Sequence, residues 1–517
     1  MPAPDNARRS LAAVSAVLFL TFLDTTIVSV ALSSVQSGLS AGVVQLQWVV
    51  NGYTLVFASL MLAAGSLGDR IGHRRVMMAG LAVFCVGSLV AAVATGVWMV
   101  ILGRAVMGLG AAGSEPGTLA VIRHQFPDPR LRARAVGVWA AVSGLALALG
   151  PVIGGLLVGA TSWRAVFVFN VVVSLALIAV VARWVPESRV TAVGRFDLPG
   201  TVLGVAFLGC LIFAAITGEQ DGYDAAHVVT LFVLSGVALI AFVVVESRAV
   251  SPLLDGRYLR LPRVGSALLV AFAIYFGLFA IFFFTALYLQ EVVGYSGWRT
   301  AAVFSPMAVA IIAGSLVTGR WVAGAGAQLP MILGCVIAAG GILLTRMNLS
   351  SHPGSLALMA SLAIAGLGFG MAVVPLASAV LDEVPAAHAG MAAAATNTTR
   401  QLGAVIGVAT LGGLVNANLT SGLTDRLDHL GIPANFQSII IDAIESGQVP
   451  NGGDSGASAA YGPIVDKVIR ATYSAFQSGL DVALALSAAL ILLAAVVSVV
   501  AEVIARRGHA NQLVEER

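Results

Sequence analysis

Charge is scarce in this sequence. Only 10% of its 517 residues are Asp, Glu, Lys or Arg, where a soluble chain carries about a quarter. Lysine is nearly absent, with Lys467 the single example. Without a Gly-Lys-Ser/Thr run there is no phosphate-binding P-loop, which excludes ATP-driven work by this chain unless a separate ATPase subunit supplies it. The three cysteines, Cys85, Cys210 and Cys335, each sit inside an apolar run, so no disulfide framework is expected. The seven histidines are scattered and no pair has zinc-ligand spacing. The net charge of +3 comes from basic residues in short segments between apolar runs, with no contiguous stripe or interleaved aromatics. That pattern excludes nucleic acid as a partner.

What remains is apolar. Hydrophobic residues make up 58% of the chain, in runs of roughly twenty residues that recur from end to end, each long enough to cross the ~30 Å hydrocarbon core. Fourteen spans are expected, at roughly 11–33, 47–68, 75–95, 98–122, 134–160, 164–185, 198–218, 226–246, 264–291, 300–322, 329–348, 355–380, 389–417 and 480–504. Arg8 and Arg9 precede the first run as in a signal peptide, but that run is too long for a signal h-region and has no small-residue cleavage site, so it reads as the first span. The expected fold is an all-α polytopic membrane protein.

An even number of spans puts both termini on one side. If that side is the cytoplasm, the inner segments hold 20 of the 28 basic residues, among them Arg70, Arg74, Arg75, Arg123, Arg132, Arg189, Arg195 and Arg517. The positive-inside rule then places both termini in the cytoplasm. Outer segments lean acidic, as at Glu219, Asp221 and Asp224, and one is long, at about 418–478. It contains Gly452-Gly453 and an amphipathic stretch around Ile464–Phe476.

An internal repeat runs at an offset of about 250 residues. Gly65-Ser66-Leu67 before Arg70 parallels Gly314-Ser315-Leu316 before Arg320. Gly108-Leu109-Gly110 with Pro116 parallels Gly366-Leu367-Gly368 with Pro375, and Gly150-Pro151-Val152-Ile153-Gly154 parallels Gly403-Ala404-Val405-Ile406-Gly407. Repeated halves mark secondary transporters, with the substrate site between them near the midplane. Two enzyme-like motifs fail on context. Gly38-Leu39-Ser40-Ala41-Gly42 lies in a short loop without the strand-to-helix turn of a nucleophile elbow. Gly108-Leu109-Gly110-Ala111-Ala112-Gly113 lies inside a span with no preceding strand, where glycines serve helix packing. The chain is expected not to be an enzyme.

Ionisable groups inside apolar spans cost about 2.5–3.5 kcal/mol each at the centre on insertion scales, so they are functional candidates. Asp24 lies midway along the first span. Arg104 and Glu115 share the fourth, on nearly one face and about 16 Å apart along the axis. Arg400 lies in the thirteenth beside Asn397 and Gln401. By depth, Asp24 and Arg104 fall at one level in the outer half, with Glu115 nearer the cytoplasm. One reading is a proton path in which a carboxyl alternates between paired and unpaired settings; the other is a static Asp24–Arg104 pair that fixes helix packing. Glu115 is open to a substrate contact as well. In the ninth span Phe272, Phe276, Phe279 and Phe283 follow helical spacing beside Tyr275. That face suits planar or cationic ligands if it lines a cavity, and lipid or neighbouring helices if it does not.

At these residues the chain resembles the major facilitator superfamily, specifically its fourteen-helix drug:proton antiporters. Gly65-Ser66-Leu67-Gly68-Asp69-Arg70-Ile71-Gly72-His73-Arg74-Arg75 resembles the superfamily's cytoplasmic signature, whose acidic residue and basic cluster latch a gate. Asp69 is expected to dock at the positive N-terminus of the thirteenth span, near Ala389. Gly144 with Gly150-Pro151-Val152-Ile153-Gly154-Gly155 resembles the antiporter motif of the fifth span, where Gly and Pro allow close packing and a kink. Leu23-Asp24-Thr25-Thr26-Ile27-Val28 is similar to the family's first-span motif, and Trp163-Arg164, Phe167, Asn170, Phe196-Asp197-Leu198-Pro199-Gly200 and Tyr288-Leu289-Gln290 also match. Met107 stands where the family has Gln, Ser33 and Val171 stand where it has Pro, and Glu115 falls outside its pattern.

The resemblance implies two pseudo-symmetric six-helix bundles, residues 1–190 and 261–517, with two further spans inserted at 191–260. It implies proton-coupled export of lipophilic drugs or antibiotics, cationic ones included, by alternating access across the bacterial cytoplasmic membrane, without a cofactor. The expected site residues are Asp24, Arg104 and Glu115 for proton coupling; Gly65, Asp69, Arg70, Gly72, Arg74 and Arg75 for the gate; Gly144, Gly150, Pro151, Gly154 and Gly155 for the antiporter motif; and Tyr275, Phe276, Phe279, Asn397 and Arg400 for the substrate cavity. The expected partners are a lipophilic small molecule, protons and membrane lipid, with the protein a monomer. Export of an endogenous lipid or metabolite is the alternative within this fold; a non-transporting membrane sensor or lipid-binding scaffold is the alternative outside it.

Overall fold

The computed structural model describes residues 5–187, 197–249, 252–349, 355–429 and 463–515, and among them there is no strand. Arg189, Arg195, Phe196, Gly452-Gly453 and Arg517 lie outside the described residues. The helices are α1 (Asp5–Leu39), α2 (Val43–Ile71), α3 (His73–Ala92), α4 (Val97–Gln125), α5 (Pro129–Ala160), α6 (Arg164–Trp184), α7 (Leu198–Asp221), α8 (Ala226–Glu246), the short α9 (Gly256–Leu259), α10 (Pro262–Leu287), α11 (Gly297–Ala325), α12 (Gln328–Asn348), α13 (Ser355–Glu383), α14 (Ala389–His429) and α15 (Pro463–Glu515). Among the described residues, thirteen helices are long and apolar enough to cross a membrane. Helix α14 is the fourteenth long helix.

Helix ends follow local chemistry. Asp128 accepts from the Arg130 amide at 2.9 Å and Pro129 opens α5; Asp197 accepts from Gly200 at 2.8 Å ahead of α7. Both satisfy amides that an N-terminus leaves unpaired. Gly72 breaks α2 from α3 at φ 104°, a left-handed conformation that a side chain would strain. One expected boundary moves: the outer segment placed at 418–478 is helical up to His429 and again from Pro463. The amphipathic period noted at 464–476 belongs to the first turns of α15 rather than to a loop.

The two halves repeat each other in their packing. Helices α3 and α4, α2 and α4, α1 and α5, and α3 and α6 pack together, as do α12 and α13, α11 and α13, α10 and α14, and α12 and α15. Glycine seats repeat in register. Gly108 of α4 sits on the Tyr53 carbonyl of α2, and Gly366 of α13 sits on the Met307 carbonyl of α11. A Cβ at Gly154 would lie 2.9 Å from the Ile27 carbonyl oxygen, and one at Gly407 would lie 2.9 Å from the Phe276 carbonyl oxygen. In lipid there is little hydrophobic drive between helices, so such backbone-to-backbone approach carries the association. Large apolar side chains such as Leu156, Val172 and Leu234 accordingly stay exposed.

Two seams join the halves: α5 against α11, and α2 against α14. The inserted pair packs on itself, and α7 lies along both α2 and α14. Ala58, Ile212 and Ile216 form a small core there with Leu402 and Val405. Tyr223, between α7 and α8, donates to the Ala409 carbonyl at 2.8 Å.

Candidate functional site

Asp24, on α1, is fully buried. Its carboxylate accepts from the Arg104 guanidinium of α4 in an ion pair, and from the Asn170 amide of α6 at 2.7 Å. Arg104 also donates through Nε to the Val49 carbonyl at 2.9 Å and lies 4.3 Å over the Tyr53 ring. Four helices of one half therefore converge on this ion pair. The pairing places Asp24 and Arg104 at one depth. Glu115 lies further along α4, also buried, where it accepts from Thr21 Oγ1 at 3.3 Å.

Arg400, from the other half, enters the same centre. It donates through Nη1 to Asn397 Oδ1 at 2.7 Å and through Nη2 to the Tyr275 hydroxyl. Its guanidinium lies 4.4 Å from the Tyr275 ring centroid, 5.1 Å from Trp139 and 5.5 Å from Phe22. The last two rings come from α5 and α1, so this box is assembled only where the halves meet. Of the aromatic face on α10, Tyr275 reaches Arg400 and stacks on Phe279 at 6.4 Å. Phe276 is buried beside Phe272, and Phe283 is 48% exposed.

The face carrying the α2–α3 turn is closed between the halves. Asp69 Oδ1 and Oδ2 accept from the Gly390 and Met391 amides at 2.8 and 2.9 Å, at the first turn of α14. These are charge-assisted bonds to a helix N-terminus, each contributing about 1.5–3 kcal/mol. His73 Nε2 lies 3.1 Å from the same carboxylate. Gly65 leaves room for Gly390 and Ala394 to approach. Arg74 and Arg75 turn the other way, to α6 and its end: Arg74 donates to the Ala182 carbonyl at 2.6 Å, and Arg75 pairs with Glu187 at 3.6 Å. Gly72 lets the Glu187 carboxylate in against the turn. Arg70 is half-buried beside them.

Sequence reasoning missed a second closure on this face, the pair between Arg132 of α5 and Asp382 of α13. Asp382 sits at a helix end, where an acidic residue draws no attention. It also left Asn170, Tyr53, Trp139 and Phe22 out of the site, although an Asn in an apolar span is a usable signal. Within the antiporter motif the structure separates roles. Gly144 faces Ile311 across the α5–α11 seam; Gly150 and Gly154 seat against α1; Gly155 meets nothing within 4 Å. Pro151 lies inside α5, which runs unbroken through it. The apparent elbow serine, Ser40, is the turn residue after α1, at φ 50°. Among the described residues no group of three or more His, Cys, Asp or Glu is arranged to hold a metal.

A carboxylate–guanidinium pair buried in one bundle, an arginine buried in the other, and a latch between the two invite comparison with known proteins. The family model of the Major Facilitator Superfamily matches residues 14–408. The chain belongs to that superfamily. The multidrug resistance protein Stp of Mycobacterium tuberculosis is 31% identical over 440 residues, 84% of this chain and 81% of that protein. Drug efflux pump JefA of the same organism is 32% identical over 496 residues, 94% of this chain and 96% of that protein. The crystal structure of the human organic anion transporter MFSD10 (TETRAN) superposes with a TM-score of 0.63 at 12% identity, covering 96% of this chain and all of that one. As a member of the major facilitator superfamily, the chain is a multi-pass bacterial membrane protein built from two six-helix bundles with two inserted helices. The superfamily is one of transporters rather than enzymes.

Proposed function

We propose that this protein exports lipophilic drugs or antibiotics across the cytoplasmic membrane in exchange for protons, by alternating access. The observation that carries the reading is the Asp24 carboxylate, wholly buried in α1 and held by Arg104 and Asn170. A proton reaching Asp24 neutralises it and leaves Arg104 a buried charge without its partner, which costs about 3–5 kcal/mol. That is comparable to the ~5.5 kcal/mol needed to invert a two-state equilibrium from 1:99 to 99:1. Proton binding therefore drives the bundle toward its other arrangement, and release restores the pair. Relatives named as multidrug resistance and efflux proteins support the substrate class.

In this reading the α2–α3 face is cytoplasmic, and the arrangement described is closed to the cytoplasm. Asp69 on the α14 N-terminus and Arg132 on Asp382 are the bonds that break when drug enters from inside. Thr25, Ser29 and Ser33 line one stripe of the outer half of α1, with Ser29 and Ser33 exposed, a hydroxyl-bearing exit path.

The test is proton movement in proteoliposomes holding an imposed pH gradient, as lipophilic cations and neutral antibiotics are added in turn. Wild-type protein is expected to give substrate-dependent proton flux, and Asp24→Asn to give none while still folding, with a cooperative unfolding transition at a lowered temperature. Uphill export by Asp24→Asn at the normal rate would remove Asp24 from the mechanism.

A further inference from the structure

The export reading leaves the substrate's own chemistry open, and the setting of Arg400 narrows it. Arg400 is 2% exposed, and no carboxylate among the described residues lies within ion-pair distance of it. Two of its nitrogens are used, by Asn397 Oδ1 and the Tyr275 hydroxyl. Its Nε has no partner, and neither does the Asn397 side-chain nitrogen Nδ2. Both unpaired groups are donors only. A buried guanidinium without a direct ion pair is costly, and each unmet buried donor adds to the cost. The faces of the group are covered by Tyr275, Trp139 and Phe22. Glu115 lies within its electrostatic reach but bonds to Thr21 instead. The centre is thus short of one acceptor, at a place lined by aromatic rings and contributed by both halves.

We propose that Arg400 and Asn397 form an anchoring subsite for an anionic oxygen, a carboxylate, enolate or phenolate carried on a planar lipophilic substrate. Tyr275, Trp139 and Phe22 stack on the ring system that bears it. The proposal rests on the export reading and names the chemical class within it. Bound substrate supplies the acceptor that the fold withholds, so the subsite favours occupied over empty protein. Because Phe22 and Trp139 belong to one half and Tyr275, Asn397 and Arg400 to the other, the box loosens when the halves rock, which releases what it holds. An anion leaving as a proton enters also moves charge in the direction an inside-negative membrane potential favours.

The experiment compares two planar dyes of opposite charge on the full-length protein in nanodiscs, by fluorescence anisotropy. Fluorescein carries a carboxylate and a phenolate; ethidium is a cation. Wild-type protein is expected to bind fluorescein, and Arg400→Gln to lower the ratio of fluorescein to ethidium affinity at least tenfold, or 1.4 kcal/mol. Asn397→Asp guards against a variant that fails to fold. It places a carboxylate beside Arg400 from within, so it should lower the same ratio at least tenfold without lowering the unfolding temperature. An unchanged ratio in Asn397→Asp, or equal losses for both dyes, would overturn the subsite, as would wild-type protein that binds no fluorescein. Proton flux in proteoliposomes separates the two readings. Flux with ethidium but no fluorescein binding sinks the subsite alone. Fluorescein binding that meets the ratio test, with no flux from either dye, sinks the export reading and leaves the subsite standing.

Discussion

Arg104 makes three different contacts from one guanidinium: an ion pair to Asp24, a hydrogen bond to the Val49 carbonyl, and a ring contact with Tyr53. Lysine has the charge but a single point of attachment, and it cannot serve a carboxylate, a carbonyl and a ring face at once. Arg104→Lys is therefore expected to fold and to lose at least tenfold in proton-coupled flux, measured in proteoliposomes against an unfolding scan. Equal flux would mean that only the charge matters there. At this scale much of the site was legible. An Asp and an Arg at one depth in apolar spans are conspicuous, because each costs so much to insert. Tyr53, Trp139 and Phe22 were not, because an aromatic in a span is ordinary until its neighbours are known; Asn170 was passed over although an amide in an apolar span is a usable signal.

Helices here are held together by where glycines fall, and neighbouring glycines in one motif behave differently. Gly154 seats against α1, while Gly155 one residue on meets nothing within 4 Å. Gly154→Val should lower stability by about 1–3 kcal/mol, the usual cost of overpacking. Gly155→Val should stay within about 0.5 kcal/mol of wild type, as for substitutions that touch nothing. Unfolding midpoints of the two variants in one detergent check the pair, and similar values would mean the α1–α5 contact is not set by this seat. The element scale also explains what the glycine repeat means. Gly108 and Gly366, and Gly154 and Gly407, occupy matched seats in the two halves. A repeat read as letters 250 residues apart becomes a repeat of contacts.

The whole molecule has two seams between its halves, and the inserted helices make them unequal. Helix α7 lies along the seam of α2 with α14 and not along that of α5 with α11. Among the described residues, the α2–α3 face is closed through Asp69 at α14 and Arg132 at Asp382. Assigning that face to the cytoplasm depends on the charge bias of the short segments. A green fluorescent protein fused after Arg517 is expected to fluoresce, and alkaline phosphatase inserted near residue 450 is expected to be active. A dark fusion with active phosphatase at the C-terminus would invert the topology and turn the export direction around.

Taken by itself, the sequence determined the number and order of the long helices, their division into repeated halves, and the few charges placed inside them. These are local properties: transfer into lipid adds residue by residue, and a buried charge stands out against apolar neighbours whatever the fold. It also reached Asp69 at the N-terminus of α14, since an anion and a helix dipole attract wherever they meet. Tertiary structure alone decided the rest. Phe22 and Trp139 close on Arg400 from the opposite half, Asp382 waits for Arg132 across 250 residues, and α7 lies along one seam and not the other. Each depends on helix rotation and depth relative to a distant neighbour, quantities that hydrophobic periodicity leaves free and that only the packed bundle sets.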